Sequence, residues 1–293
     1  MTFLSRAIPR VAAATFWAAS VICVNAAAFE TLPLIQTEEN SAALHITNAR
    51  EAFLAKKYGK AKDEAKRAIS LNKESPEAYL LLAMVYWREG KWDDSVRYDK
   101  EALKYSPDYA DAHYLMGLLH LQNRKFDEAR KEAELVISKG KRASNAYLLL
   151  AQANLARSKP EEALEPFQNA LRLTPPGTDD AMRLTAKIEA LQGWIESRAD
   201  IVNPSFVHPR PLNTPVPSYT DEARAAKVRG TVHMVVLVSV EGKVSSTLVL
   251  VGLGFGLDEE AVTAARRLKF TPATKEGKPV AFWLRIDVEF NLQ

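Results

Sequence analysis

Three glycines at alternate positions, Gly252, Gly254 and Gly256, follow the apolar run Leu248–Val251 and lead into a helical pattern that opens with Asp258, Glu259 and Glu260. A glycine-rich turn between a strand and a helix is the arrangement that cradles phosphate. Free N–H groups and the positive end of the helix dipole converge there. The residues argue against that chemistry. The spacing is G-x-G-x-G rather than G-x-G-x-x-G, and no phosphate-loop lysine follows. Three carboxylates already use the positive end and repel a phosphate at close range. The expectation is a plain strand-to-helix turn, with no nucleotide and no other cofactor.

Other chemistry-bearing residues are scattered. His113 and His120 are seven apart, among Tyr114, Leu115, Met116, Leu118 and Leu119. That setting reads as packing, since a metal site would need a third ligand. His233 alternates outward on a strand pattern, and His208 sits among prolines. There is no H-E-x-x-H and no G-x-S-x-G. Cys23 is the single cysteine, so an intrachain disulfide is excluded. A formal charge of +3 over 293 residues leaves no footprint for nucleic acid. These features predict a binding protein, not an enzyme, with no metal site.

The elements that position these residues begin after a leader. Arg6 and Arg10 precede an uncharged apolar stretch from Val11 to Val24, and Ala26-Ala27-Ala28 fits a small-residue cleavage site before Phe29. Residues 1–28 read as a secretory signal peptide. The rival is an uncleaved inner-membrane anchor, but the apolar run is interrupted at Asn25, and a span needs about 20 predominantly apolar residues.

From Ala42 the chain repeats with a period of 34 residues, in blocks starting at Ala42, Pro76, Ala110 and Ser144. Small residues recur at the eighth position (Ala49, Ala83, Gly117, Ala151), the twentieth (Ala61, Ser95, Ala129, Ala163) and the twenty-seventh (Ala68, Ala102, Val136, Ala170). Such residues let two helices approach closely, and Pro107 and Pro175 fall where a helix must stop. The pattern resembles the tetratricopeptide repeat. The resemblance implies an all-α solenoid over residues 42–199, four helical hairpins closed by a capping helix. Thr178 or Asp179 suits the start of that cap, and Met182, Ile188, Leu191 and Ile195 suit its inner face. In that family the first helix of each unit lines a concave groove. The residues this assigns to a partner-binding groove are Phe53, Leu80, Met84, Trp87, Tyr114, Leu118 and Leu148. The lysine and asparagine that clamp a terminal carboxylate in some members are absent. An apolar, aromatic-edged groove suits an amphipathic helix or apolar peptide; the alternative is that some of these side chains only pack between units or against the linker.

Residues 200–214 form a proline-rich linker, and Pro204, Pro209 and Pro211 favour an extended spacer. From residue 215 the pattern is helix, strand, strand, helix, strand. Thr220 suits a helix cap, with Ala223 and Val228 inward. Val232, Met234, Val236, Val238 and Val240 share one strand face, and Glu241-Gly242-Lys243 suits a hairpin turn. The segment Thr271–Pro279 reads as a loop. In the last strand Val280, Phe282, Leu284, Ile286, Val288 and Phe290 face one way, and Ala281, Trp283, Arg285, Asp287, Glu289 and Asn291 the other. One buried and one wet face imply a three-stranded antiparallel sheet.

Residues 215–293 resemble the C-terminal domain of the TonB family. The resemblance rests on Tyr219 with Ala223-Arg224, Gly230-Thr231-Val232, Gly242-Lys243-Val244, Gly256-Leu257-Asp258 with Ala261, Lys269-Phe270-Thr271-Pro272-Ala273, Gly277-Lys278-Pro279-Val280 and Phe290. Thr220 and Leu268 depart from the usual proline and tryptophan without removing a chemical group. The whole is then an α+β multidomain chain, a repeat solenoid followed by a small α+β domain.

The family implies a sheet edge that receives an extended segment of an outer-membrane receptor. Ala281, Trp283, Arg285, Asp287 and Glu289 on the final strand are the implied contacts. Arg285 and Asp287 equally suit protection of an exposed edge. Residues 1–30 lack the histidine that resembles a transducer's membrane helix, so two readings stand. One is a periplasmic Gram-negative TonB-family protein in energy-dependent transport. The other is an envelope scaffold whose small domain docks or dimerises, anchored in the membrane only if the leader is kept.

Overall fold

The computed structural model describes residues 27–140, 143–198 and 204–291. The leader read at residues 1–28 lies outside the described residues except for its last two. Nine helices come first among the described residues: α1 (Ala27–Leu54), α2 (Tyr58–Leu71), α3 (Pro76–Arg88), α4 (Trp92–Tyr105), α5 (Ala110–Gln122), α6 (Phe126–Ser138), α7 (Ala143–Ala156), α8 (Pro160–Arg172) and α9 (Asp179–Ser197). The second helix of each hairpin starts at 58, 92, 126 and 160, so the 34-residue period is carried into the backbone.

The small positions explain the stacking. Ala49, Ala83, Ala151, Ala129, Ala163, Ala68, Ala102, Val136 and Ala170 are fully buried. Ser95 replaces alanine at one of them and donates its hydroxyl to the Ala83 carbonyl at 2.8 Å, which satisfies a polar group where no water reaches. The fifteenth residue of every unit turns the chain through positive φ: Lys56, Gly90, Arg124 and Ser158. Glycine stands there only in the second unit. A Cβ on Gly90 would lie 2.7 Å from the Ala226 carbonyl of the C-terminal domain, so side-chain absence here serves domain contact.

Pro166 sits inside α8 and cannot donate to the carbonyl four residues back. Buried Asn154 supplies the missing donor, its Nδ2 reaching the Glu162 carbonyl at 2.9 Å. Asn154→Ala strands that carbonyl. The expected cost is about 1–3 kcal/mol, read as a lower midpoint in thermal unfolding; an unchanged midpoint would mean water replaces the amide.

Capping helix α9 starts where Thr178 accepts the Ala181 N–H at 3.2 Å. Leu184, Ile188 and Leu191 face inward. Met182 was expected with them but is exposed, because α9 turns its 184/188/191 stripe to α8 and leaves 182 off that face.

The C-terminal domain contains α10 (Asp221–Ala225), β3 (Gly230–Val238), β4 (Val244–Val251), α11 (Leu257–Arg266) and β8 (Phe282–Phe290). The main sheet is antiparallel in the order β4-β3-β8. Thr220 caps α10 through the Ala223 N–H, as its sequence suggests. One sheet face packs on α10 and α11 through Val232, Met234, Val236, Val238 and Phe290. Val240, expected with them, is exposed beyond the strand end.

Two expectations are corrected. The proline-rich stretch is not a free spacer. Its β1 (Phe206–Val207) and β2 (Arg210–Pro211) pair with β6 (Ala273–Lys275) and β5 (Phe270–Thr271), and β7 (Lys278–Val280) extends the β1-β6 sheet. Asn213 fixes the register with two bonds, donating to the Arg267 carbonyl at 2.9 Å and accepting the Lys269 N–H at 2.7 Å. Thr271–Pro279 is accordingly strand and turn rather than loop. The second correction concerns the sheet's outer face. Val235, Leu248, Leu250 and Trp283 form one core with Leu155 and Phe167 of the last repeat and Leu184, Ile188 and Leu191 of α9. The face expected to be wet is partly covered by the repeat array.

Candidate partner-binding surfaces

Strand β8 is an edge. It pairs with β3 from Gly230↔Phe290 to Val238↔Phe282 and, among the described strands, has no partner on its other side. Ala281, Arg285, Asp287 and Glu289 are exposed. Asp287 lies opposite His233, with 2.7 Å between Oδ1 and the ring Nδ1, and Arg285 Nε lies 3.6 Å from the same carboxylate oxygen. His233 is therefore half-buried and paired rather than freely exposed. Exposed charges of this kind contribute little to stability, so they are free to set partner preference.

Trp283 departs from this group. It is 8% exposed and belongs to the interdomain core. Gly193 of α9 makes room for it, since a Cβ there would lie 2.6 Å from the indole Nε1. The alternation along β8 places Trp283 on the outer face correctly, but that face is covered at this end.

The residues assigned to the repeat groove divide three ways. Leu80 is buried among Ala83, Ala112, Leu115 and Leu119, with Met84 packed beside it. Tyr114 and Phe53 likewise pack into cores at Val136 and Val85. These four hold the array together, so Leu80 is corrected as a groove contact. Leu148 packs under Val235, Leu248 and Leu250 of the chain's own sheet. Of the seven, Trp87 and Leu118 line an open space against the C-terminal domain.

That space is a cleft of about 670 Å³ between the concave face and the C-terminal domain. Trp87, Arg88, Leu118, Leu121, Gln122 and Gln152 form one wall. Residues 247–255 and one side of α11, from Asp258 to Arg266, form the other, and Lys187 of α9 also lines the space. The domain bridges the cleft: beyond the core at α7–α9, Phe255 meets Trp92 edge-on with 5.8 Å between ring centroids.

The glycine turn is filled from within. Asp258 Oδ1 accepts the Leu253 N–H at 2.7 Å and the Gly254 N–H at 3.3 Å. Its carboxylate occupies the donors a phosphate would need. Burial pushes the Asp258 pKa up, and the two N–H groups, with Lys187 more weakly, pull against that rise. Enclosure in the cleft pushes the Lys187 ammonium down, with Asp258 opposing, although much of the Lys187 surface still meets solvent.

His113 is tied into the repeat array by both ring nitrogens. Its ring bonds Glu132 at 2.7 Å and the Pro107 carbonyl at 2.8 Å. His45 makes the same bond to Glu64 at 2.6 Å in the first unit, so a His–Glu pair nineteen residues apart links the two helices of alternate hairpins. That recurrence was legible in the repeat alignment as histidine at the fourth position and glutamate at the twenty-third. Burial pushes the His120 pKa down. No helix among the described residues is long and apolar enough to cross a membrane.

Comparison with known proteins agrees with this division. The model of the Gram-negative bacterial TonB protein C-terminal matches residues 215–292. The tetratricopeptide repeat model matches residues 46–110, 80–140 and 114–178. No curated protein matches the chain. Among solved structures, PilF of Pseudomonas aeruginosa is 17% identical over 56% of this chain and 74% of that one, with a TM-score of 0.50. MamA of Desulfovibrio magneticus RS-1 is 21% identical over 55% and 86%, with a TM-score of 0.46. YrrB, described as a TPR protein with an unusual peptide-binding site, is 17% identical over 55% and 82%, with a TM-score of 0.43. At 17% identity the likeness to PilF speaks to the fold alone.

Proposed function

Because the chain joins a tetratricopeptide-repeat array to a TonB C-terminal domain, we propose that it is an exported envelope protein that captures an extended segment of another protein on the free edge of β8. The observation that carries this reading is the one-sided pairing of β8, with Arg285, Asp287 and Glu289 exposed along it. An incoming strand gains main-chain hydrogen bonds from the edge and is selected by those alternating side chains. The partner is an outer-membrane receptor segment or a subunit of an envelope complex, in the periplasm of a Gram-negative cell, and the role is binding rather than catalysis.

A transport role, with energy passed to the partner, is one form of this reading. The other is an adaptor. No histidine lies in residues 1–30, and a folded repeat array stands between the leader and the capturing domain. Both features favour the adaptor. The same free edge could pair with a second copy across a two-fold axis.

Reversing Arg285→Glu and Asp287→Lys together is expected to weaken capture of the native partner at least tenfold, with an unchanged circular-dichroism spectrum. Capture that survives the reversal would remove β8 from the reading. Intact mass and fractionation from the native host test the location. A chain starting at Phe29 in the periplasm supports a free adaptor. A full-length chain in the inner membrane restores the transducer.

A further inference from the structure

The main sheet has a second edge, and its setting differs from that of β8. Strand β4 pairs only with β3 among the described strands. Every residue from Thr247 to Phe255 lines the cleft. Side chains alternate between faces along a strand, so consecutive residues of β4 can all line one space only where the backbone edge faces it. Outward N–H and C=O groups of β4 therefore look across the cleft at the concave helices.

Three cations stand around this edge: Arg88 on the repeat wall, Lys187 on α9 and Arg266 at the end of α11, on the same side as β4. Arg88, Lys187 and Arg266 all line the cleft. Among the described residues none of the three donates a hydrogen bond or closes an ion pair, and Lys187 feels Asp258 only through longer-range attraction. The Arg88 guanidinium lies 5.1 Å from the Trp87 ring centroid, and its Nε is buried with no acceptor. A buried donor without an acceptor is costly, and a carboxylate is the strongest acceptor that could relieve it. Of the two carboxylates on the lining, Asp258 is tied to Leu253 and Gly254, and Glu259 is exposed at the start of α11. Trp87, Leu118 and Leu121 supply apolar surface beside the cations.

We propose that the cleft between the β4 edge and the concave face of the repeat array is a binding slot for an extended, acidic segment of a partner protein. The segment adds to β4 as a strand. Its carboxylates meet Arg88, Lys187 and Arg266, and its alternate apolar side chains meet Trp87 and Leu118. The two domains then read one ligand jointly, main chain from the sheet and side chains from the repeats. The inference does not depend on capture at β8, which lies at the other edge of the sheet.

The test uses the full chain and an eight-residue probe of alternating valine and glutamate, with a valine–lysine probe as control. Calorimetry reads affinity, and amide hydrogen exchange reads location. The expected result is binding of the glutamate probe with slowed exchange at residues 247–251 and unchanged exchange at 282–290. Arg88→Glu with Lys187→Glu should lower affinity at least tenfold. Arg266→Glu alone, on an exposed face of α11, should lower it severalfold and guards against a folding defect in the double variant. The proposal is overturned if the probe fails to bind. It is equally overturned if protection falls on 282–290 alone, if the lysine probe binds as well, or if affinity ignores all three reversals.

Discussion

Trp283→Ala is expected to uncouple the C-terminal domain from the repeat array and to cost about 3–5 kcal/mol of stability, the range for removing a buried tryptophan from a core. Trp283 is the largest side chain that β8 contributes to the interdomain cluster, where it meets α9 and shares a core with Leu184, Ile188, Leu191, Val235 and Leu248. The helix has been left open to receive it at Gly193, so no neighbour stands ready to fill the vacated space. Scanning calorimetry should show the wild type melting with the two parts coupled. The variant should show two separated transitions, and protease should cut between α9 and β1. A single unchanged transition would mean that contacts at Gly90, Ala226, Trp92 and Phe255 hold the domain without Trp283. The result bears on function as well. A loss of partner capture in this variant reports undocking, so the β8 edge has to be tested at Arg285 and Asp287, which touch no interdomain core.

The same tryptophan marks how far sequence reasoning reaches. The alternation along β8 fixes which side chains share a face, because a strand repeats every second residue. It carries no information about what covers that face. Leu148, Leu248 and Trp283 each carry a correct local pattern, yet their contact is between residues far apart in the chain. The repeat was legible because its signal is periodic: small residues at fixed positions can pack only one way, and α3, α5 and α7 begin within a residue of their block starts, whereas α1 begins at Ala27, ahead of the first block. The groove was less legible. A fifth-position residue such as Leu80 can face the groove or the next unit, and apolarity suits both. Prolines at 204, 209 and 211 read as a spacer because proline excludes helix, but short edge strands tolerate it: β2 takes in Pro211, and β1 fits between Pro204 and Pro209. The glycine turn was decided by its acidic helix start, and Asp258 fills it. The free cations of the cleft were out of reach, since an unpaired Arg88 looks like any helix-end arginine until its neighbours are known.

Asp99→Ala is expected to stabilise the repeat array, and to do so more at pH 8 than at pH 5. Asp99 lies on α4 and is fully buried, and neither carboxylate oxygen has a hydrogen-bond partner. Its place is the twenty-fourth of the second repeat. The corresponding residues of the other units are Ala65, Ala133 and Phe167, all buried and all apolar. Burial pushes the Asp99 carboxyl up to about 8, and the nearby Glu132 charge pushes in the same direction. In the folded chain the group therefore keeps its proton across a range where the unfolded chain has lost it. Between the ordinary value near 3.8 and about 8, the unfolded state binds fewer protons, so stability falls as pH rises. At about 1.36 kcal/mol per pH unit, the loss between pH 5 and pH 8 is on the order of 4 kcal/mol. Alanine removes the titrating group and matches what two sister repeats already pack at this position. The wild-type midpoint should drop from pH 5 to pH 8 while that of the variant stays nearly level. Asp99→Asn separates charge from volume. It keeps the size of the side chain, abolishes the pH slope, and retains the cost of a buried amide without partners. Equal slopes in wild type and Asp99→Ala would place the pH dependence away from Asp99.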